Sequence, residues 1–218
     1  MDKMKRQLIV PLVVILVLAF PSFLRSQSVF PEKMEKPNWY VGDSWSYKVS
    51  ADGKIATITR TVIQEENSKY YIISSGGFKR FYNQKTLNLS YTKDKSGKLI
   101  DNYIPEKPTF KWPLKVANWW QSRYSWQSPN AGPDEPPYVD VTIKVVTVEP
   151  LVIMGKEIIT FQLLERRYNP RGVCICELTQ WISPEFRNIV KWKDERINKY
   201  SEAELIKFIS GQPEASAK

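Results

Sequence analysis

The sequence predicts an all-β protein built on a strongly curved antiparallel sheet, half-barrel or barrel-like, with few or no helices apart from an N-terminal signal segment. Three observations carry this. Residues 44–50 alternate strictly, with Trp45, Tyr47 and Val49 on one side and Ser44, Ser46 and Lys48 on the other, the period of a half-buried strand. Turn dipeptides such as Asp52-Gly53 and Gly76-Gly77 separate such runs at short intervals, as in a meander of hairpins. Around ten strand-like runs follow one another with little helical periodicity, which points to a barrel or sandwich.

The elements follow in order. After the strand at 44–50 and its Asp52-Gly53 turn, residues 55–65 are rich in Thr, Ile and Val, suited to a pleated surface. Residues 66–68 turn the chain into short strands at 70–74, 78–83 and 87–93, and residues 94–98 close the third. Pro105, Pro108 and Pro113 then interrupt pairing, because proline has no N–H to donate. Residues 119–126 resume a strand with Trp120, Ser122, Tyr124 and Trp126 on one face. The stretch 128–137, with four prolines and a glycine, reads as a surface loop. Residues 138–148 form a long strand with Val139, Val141, Ile143 and Val145 on one face. A glycine turn at 154–157 leads to a hairpin of 158–167 with 173–182. If its turn is symmetric, Leu163 faces Glu177, Phe161 faces Thr179 and Ile159 faces Trp181. Ser183-Pro184-Glu185 makes the next turn and 188–194 returns as a strand. Residues 201–208 are ambiguous: Ser201 with Glu204 resembles a capping box, but the all-strand context favours a final strand.

The N-terminus reads as an export signal. Lys3, Lys5 and Arg6 precede an apolar run from Leu8 to Phe20 broken only by Pro11, and Ser22, Ser26 and Ser28 follow. The expected organisation is a signal peptide over 1–28, one β-rich domain over 29–210 and a loose tail over 211–218. An uncleaved signal would instead anchor the domain to a membrane, which would be its membrane contact. Both readings place the domain outside the cytoplasm, in the periplasm or beyond the cell. Removing 28 residues takes out four basic and one acidic side chain, leaving 28 basic against 22 acidic, a charge of +6. The charges are interspersed and no binding motif accompanies them, so nucleic acid is not an expected partner.

The chain has no histidine, which excludes Ser-His-Asp and Cys-His catalysis and His-ligated zinc. Cys174 and Cys176 are the only cysteines. On a regular strand they share a face, too far apart to bridge without a kink, and two thiols are a weak metal site. No metal, cofactor or catalytic residue is expected. Candidate ligand-binding residues are the aromatic cluster Trp112, Trp119, Trp120, Tyr124 and Trp126, joined by Phe161, Glu177 and Trp181. Such rings either fill a barrel or line a pocket. Glu177, expected on a face with Val173, Ile175 and Trp181, is the carboxylate most suited to acid chemistry if buried.

Two segments carry a resemblance. Trp39-Tyr40-Val41-Gly42-Asp43-Ser44-Trp45 lies near the start and Trp181-Ile182-Ser183-Pro184-Glu185 near the end, with Phe110-Lys111-Trp112-Pro113-Leu114 between them. The chain resembles a loose group of bacterial exported β-rich domains with a Trp-x-x-Gly-Asp-x-Trp opening and a Trp-x-Ser-Pro-Glu turn. That group is similar to half-barrel envelope proteins such as lipoprotein carriers. Residues 152–156 depart from the proline-alanine-glycine segment of many members. The resemblance implies a curved antiparallel sheet and brings no catalytic residues. The expected function is a non-catalytic exported envelope protein that holds an apolar or lipid-like ligand or a protein partner. The alternatives are a carbohydrate-binding module using surface tryptophans and a carboxylate-dependent hydrolase. The expected lids over an apolar trough are 105–113 and 128–137.

Overall fold

A computed structural model describes residues 30–129, 138–197 and 199–211. The signal segment, most of the proline-rich stretch after Ser128 and the tail after Gly211 lie outside the described residues. The strands are β1 (Lys33–Met34), β2 (Ser44–Ala51), β3 (Lys54–Glu66), β4 (Tyr70–Ser75), β5 (Phe78–Asn83), β6 (Leu89–Asp94) and β7 (Leu99–Lys107). They continue with β8 (Leu114–Lys115), β9 (Trp119–Gln127), β10 (Val139–Ile153), β11 (Lys156–Tyr168), β12 (Cys174–Ser183), β13 (Asn188–Arg196) and β14 (Lys199–Ile209). Twelve of them close an antiparallel barrel in chain order from β2 to β14, while β1 and β8 form a separate small ladder.

Closure depends on the ambiguous segment. It is β14, and it pairs with both β13 and β2, setting Ala203 opposite Val49 and Leu205 opposite Tyr47. A helix there would leave the edges of β2 and β13 unpaired, which a closed barrel abolishes. The two-residue turns Asp52-Gly53, Gly76-Gly77 and Met154-Gly155 have positive φ at both positions, the type I′ geometry that matches strand twist.

Three expectations are corrected. The strand expected from Leu87 begins at Leu89, because Leu87 adopts a left-handed φ of 57° in the preceding turn. Pro105 lies within β7 instead of ending it. It sits where β7 bulges between Asn102 and Lys107, and pairing with β9 stops at Ile104, one residue before the missing donor. The β11–β12 register is shifted by three: Leu163 faces Gln180, Phe161 faces Ile182, Gln162 faces Trp181 and Arg166 faces Glu177. The turn is centred one residue later than symmetry suggested, with Asn169 N–H donating to Val173 O at 3.0 Å. A bulge at Ile175 moves the register again, between Tyr168 opposite Cys174 and Arg167 opposite Cys176.

An odd shift exchanges faces. Glu177 therefore points outward to Arg166, 2.8 Å away, and Gln180 and Leu178 point inward. The same bulge separates the cysteines: Cys174 is exposed and Cys176 buried, and both thiols are free. A thiol reagent should titrate one fast group in the native protein and two in denaturant. Two fast native thiols would show that the bulge is absent.

Because the strands form a meander, their connections alternate between two ends of the barrel. At one end residues 30–43, 84–88 and 108–118 fold over the opening as a plug, bringing in buried Met34, Trp39, Leu87, Phe110 and Leu114. Segment 105–113 thus contributes to the plug. At this end the two resemblance motifs meet. The fully buried Asp43 accepts bonds from Arg187 Nη2 at 2.7 Å, Gly211 N–H at 2.8 Å and Tyr40 N–H at 2.9 Å. The Trp39 and Trp45 indoles donate to Arg187 O and Phe186 O, at 2.7 and 2.8 Å. Tyr47 O–H donates to Ile189 O at 2.8 Å. A Cβ on Gly211 would lie 2.2 Å from Val41 O, so the approach of the segment after β14 to the turn before β2 needs glycine. These bonds tie the chain's beginning to its final hairpins and read as a structural latch.

Candidate functional site

The barrel interior divides along its length. Alternation aims Trp45, Tyr47, Val62, Phe161, Leu163, Ile182 and Leu205 into a dry core. Toward the unplugged end the inward positions become polar: Arg60 on β3, Arg80 on β5, Asp101 on β7, Glu165 and Arg167 on β11, Gln180 on β12, and Asp194 and Arg196 on β13. These side chains border a cavity of about 490 Å³, with Trp39, Ile73, Leu89, Phe110 and Ile189 supplying apolar wall. Its size is that of an ordinary small-molecule site.

Register explains the placement. Ile143 faces Glu165, which faces Leu178, which faces Asp194. The row above it runs Val141, Arg167, Cys176 and Arg196. Charges of opposite sign thus sit one pleat apart on the same face. Arg167 bonds Glu165 at 2.5 Å with both side chains largely buried, and Arg196 clasps Asp194 at 2.7 Å. Gln180 donates Nε2–H to Glu165 at 3.3 Å. On the other wall Trp126 Nε1–H donates to Asp101 at 2.8 Å.

The electrostatics follow from this pairing. Burial alone would raise Asp194, but Arg196, the Cys176 S–H and Arg167 together hold its carboxyl below the usual carboxylate range. Burial pushes the Cys176 thiol up to about 11, with Arg167 opposing the rise and Asp194 adding to it, so it is a neutral donor to Asp194 at 3.3 Å and no nucleophile. Burial, reinforced by Arg167, pushes Lys107 down to about 8 against the pull of Glu165.

Five basic and three acidic side chains line the cavity. The acids are engaged as described. Arg60, Arg80 and Lys107 form no ion pair with a carboxylate among the described residues. Arg60 instead stacks on Tyr47 and Trp192, 5.2 and 5.0 Å from their centroids.

The eight residues singled out from the sequence sit elsewhere, and none borders the cavity. Trp120, Tyr124, Phe161 and Trp181 are buried, with Phe161 fully enclosed. The Trp181 indole donates to Glu149 at 2.6 Å. Trp112 packs on Phe110, 5.1 Å between centroids, and its indole donates to Thr86 O. Trp126 lies cross-strand from the cavity-lining Tyr103, on the same inward face, and holds Asp101. Trp119 is 63% exposed and Glu177 lies outside with Arg166. The cavity's charged residues carry little local signal, because each is an ordinary Arg, Lys, Asp or Glu in a strand. Arg60 and Arg80 sit on the same strand faces as Ile58 and Phe78, and a basic residue in that phase was the available signal.

No family model matches the chain, and no curated protein matches it either. Among solved structures it is similar to the hypothetical lipoprotein YmcC from Escherichia coli, at 12% identity over 77% of this chain and 85% of that one, with a TM-score of 0.39. It is also similar to a candidate exported protein with a YmcC-like fold from Bacteroides fragilis, at 12% identity over 82% and 100% of the two chains and a TM-score of 0.37. A candidate lipoprotein from Parabacteroides distasonis gives 10% identity over 82% and 100%, with a TM-score of 0.38.

Among the described residues no group of three or more Cys, Asp or Glu side chains is placed to hold a metal ion. What the lumen offers is a blind, half-apolar chamber with fixed charges.

Proposed function

We propose that this is a non-catalytic exported envelope protein whose barrel holds an apolar or lipid-like small molecule in its lumen. The observation that carries the reading is the cavity of about 490 Å³ between the plug and the charged end, with apolar and polar walls together. Export rests on the basic head and apolar run of the first 28 residues. A non-catalytic role is supported by the engagement of the acids: among the described residues Glu165 and Asp194 are each held by an arginine and Asp101 by Trp126. A sugar platform needs a row of exposed rings, and among the described residues Trp119 is the one strongly exposed tryptophan. Trp126 and Tyr124 support lining residues from beside the cavity: Trp126 donates to Asp101 and Tyr124 packs on Tyr103 at 5.7 Å.

The test is fluorescence titration of the purified exported protein with phenylnaphthylamine, a neutral apolar probe. Saturable binding with about one site per chain is expected, lost when Ile73→Glu puts a charge into the apolar wall of a still-folded barrel. A folded protein that binds no probe would leave the lumen reading without support and favour a protein partner on the outer surface.

A further inference from the structure

Resting on that reading, we infer that the lumen selects an amphiphile with an oxyanion headgroup, recognised by Arg60, Arg80 and Lys107. The inference begins from the mismatch between the cavity's cations and carboxylates. Arg167 and Arg196 have their acids, and the remaining three cations have none among the described residues. All three are partly buried and share one chamber, so their charges repel one another at reduced solvent screening, an arrangement that a bound anion would relieve.

Their positions suit a shared headgroup. Val62 faces Ile73, and Ile73 faces Arg80, which faces Thr92 and then Asp101. Arg60 lies one inward position from Val62, so the two arginines flank β4 diagonally. Arg60 is held by the faces of Tyr47 and Trp192, and Arg80 lies 6.0 Å from the Phe78 centroid. Ring stacking leaves guanidinium edges available for oxygens, which is how arginine receives an oxyanion. Arg60 Nε and Arg80 Nη1 are indeed buried without a hydrogen-bond partner. Lys107 enters from β7 as a third point charge.

A second observation comes from the opposite wall. Gln180 is 3% exposed, gives Nε2–H to Glu165, and leaves Oε1 buried and unpartnered in the same chamber. A buried amide oxygen without a donor is uncommon in folded proteins. It completes a headgroup site that also accepts a hydroxyl or N–H from the ligand. The apolar wall at Ile73, Leu89 and Phe110 takes the tail.

A matched pair of probes separates this inference from the reading beneath it. Anilinonaphthalene sulfonate has nearly the skeleton of phenylnaphthylamine and adds one sulfonate. At about 50 mM salt the sulfonate probe should bind at least about tenfold more tightly than the neutral one, with the gap narrowing at about 0.5 M salt. Arg80→Gln and Lys107→Gln should each weaken the sulfonate probe by about three- to tenfold and leave the neutral probe within about twofold. Lys95→Gln, on an exposed turn, should change neither, and melting curves confirm that each variant is folded. Equal affinity for both probes overturns the anion inference and leaves the lumen reading standing. So does a loss of sulfonate binding that is no greater in the lumen variants than in Lys95→Gln. Failure of both probes to bind the folded protein overturns the two together.

Discussion

Asp43→Ala is expected to lower the unfolding free energy by about 3–5 kcal/mol, the usual cost of removing one partner from a buried ion pair. Asp43 is fully enclosed and accepts from Arg187, Tyr40 N–H and Gly211 N–H. Truncation removes the carboxylate beside a guanidinium whose side chain is only 16% exposed and takes the acceptor from two backbone donors. For a domain of this size the melting point should fall by about 10 °C. Arg187→Leu combined with Asp43→Ala should cost less than the sum of the two single changes, since both charges then leave together. Urea unfolding of the four proteins measures this. A single Asp43→Ala loss under about 1 kcal/mol would show that the latch contributes little to tying the chain's early segment to its final hairpins.

Phe161→Ala should cost about 3–5 kcal/mol, as expected for emptying an aromatic site in a packed core. Phe161 is 0% exposed, stands opposite Val148 and Ile182, and lies in the strand whose far end carries Glu165 and Arg167. Because it does not border the cavity, binding of the neutral probe to the folded variant should stay within about twofold of wild type. A variant that melts like the parent but loses the probe would move the ligand site from the charged chamber into the apolar half.

These two residues show how differently sequence positions reveal their roles. Phe161 was legible as an inward side chain, because alternation along residues 158–167 needs no partner to be read. Trp45, Tyr47, Val139, Val141, Ile143 and Leu163 were legible in the same way and are all buried, while Ile159 is only half-buried beside Pro150. Asp43 was visible as part of a motif, but its function in that motif was not. Its partner Arg187 is 144 positions away, and no local pattern announces a pairing at that distance.

The same division explains the site. Glu177 is the candidate acid by strand phase, and a register shift of three puts it outside with Arg166 and brings Gln180 to the cavity. That shift came from a turn centred on Arg171 and one extra residue at Ile175, neither of which disturbs the hydrophobic pattern on either side. The aromatic cluster was conspicuous in composition, yet its rings mostly fill the plug and the barrel wall, because a closed sheet this large needs bulky side chains inside it.

What the sequence by itself determined is the local order: the alternating strands, the tight glycine turns and the antiparallel succession that permits a barrel. Each of these arises from the period of side chains along one strand or the φ demanded within one turn, and such information is contained in a few adjacent residues. The tertiary structure alone decided that the sheet closes through β14, that β11 and β12 meet out of the symmetric register, and that Arg60, Arg80 and Lys107 share one chamber without matching acids. Those outcomes depend on which strand lies opposite which, and one residue more or less in a turn or bulge exchanges the inner and outer faces of everything beyond it.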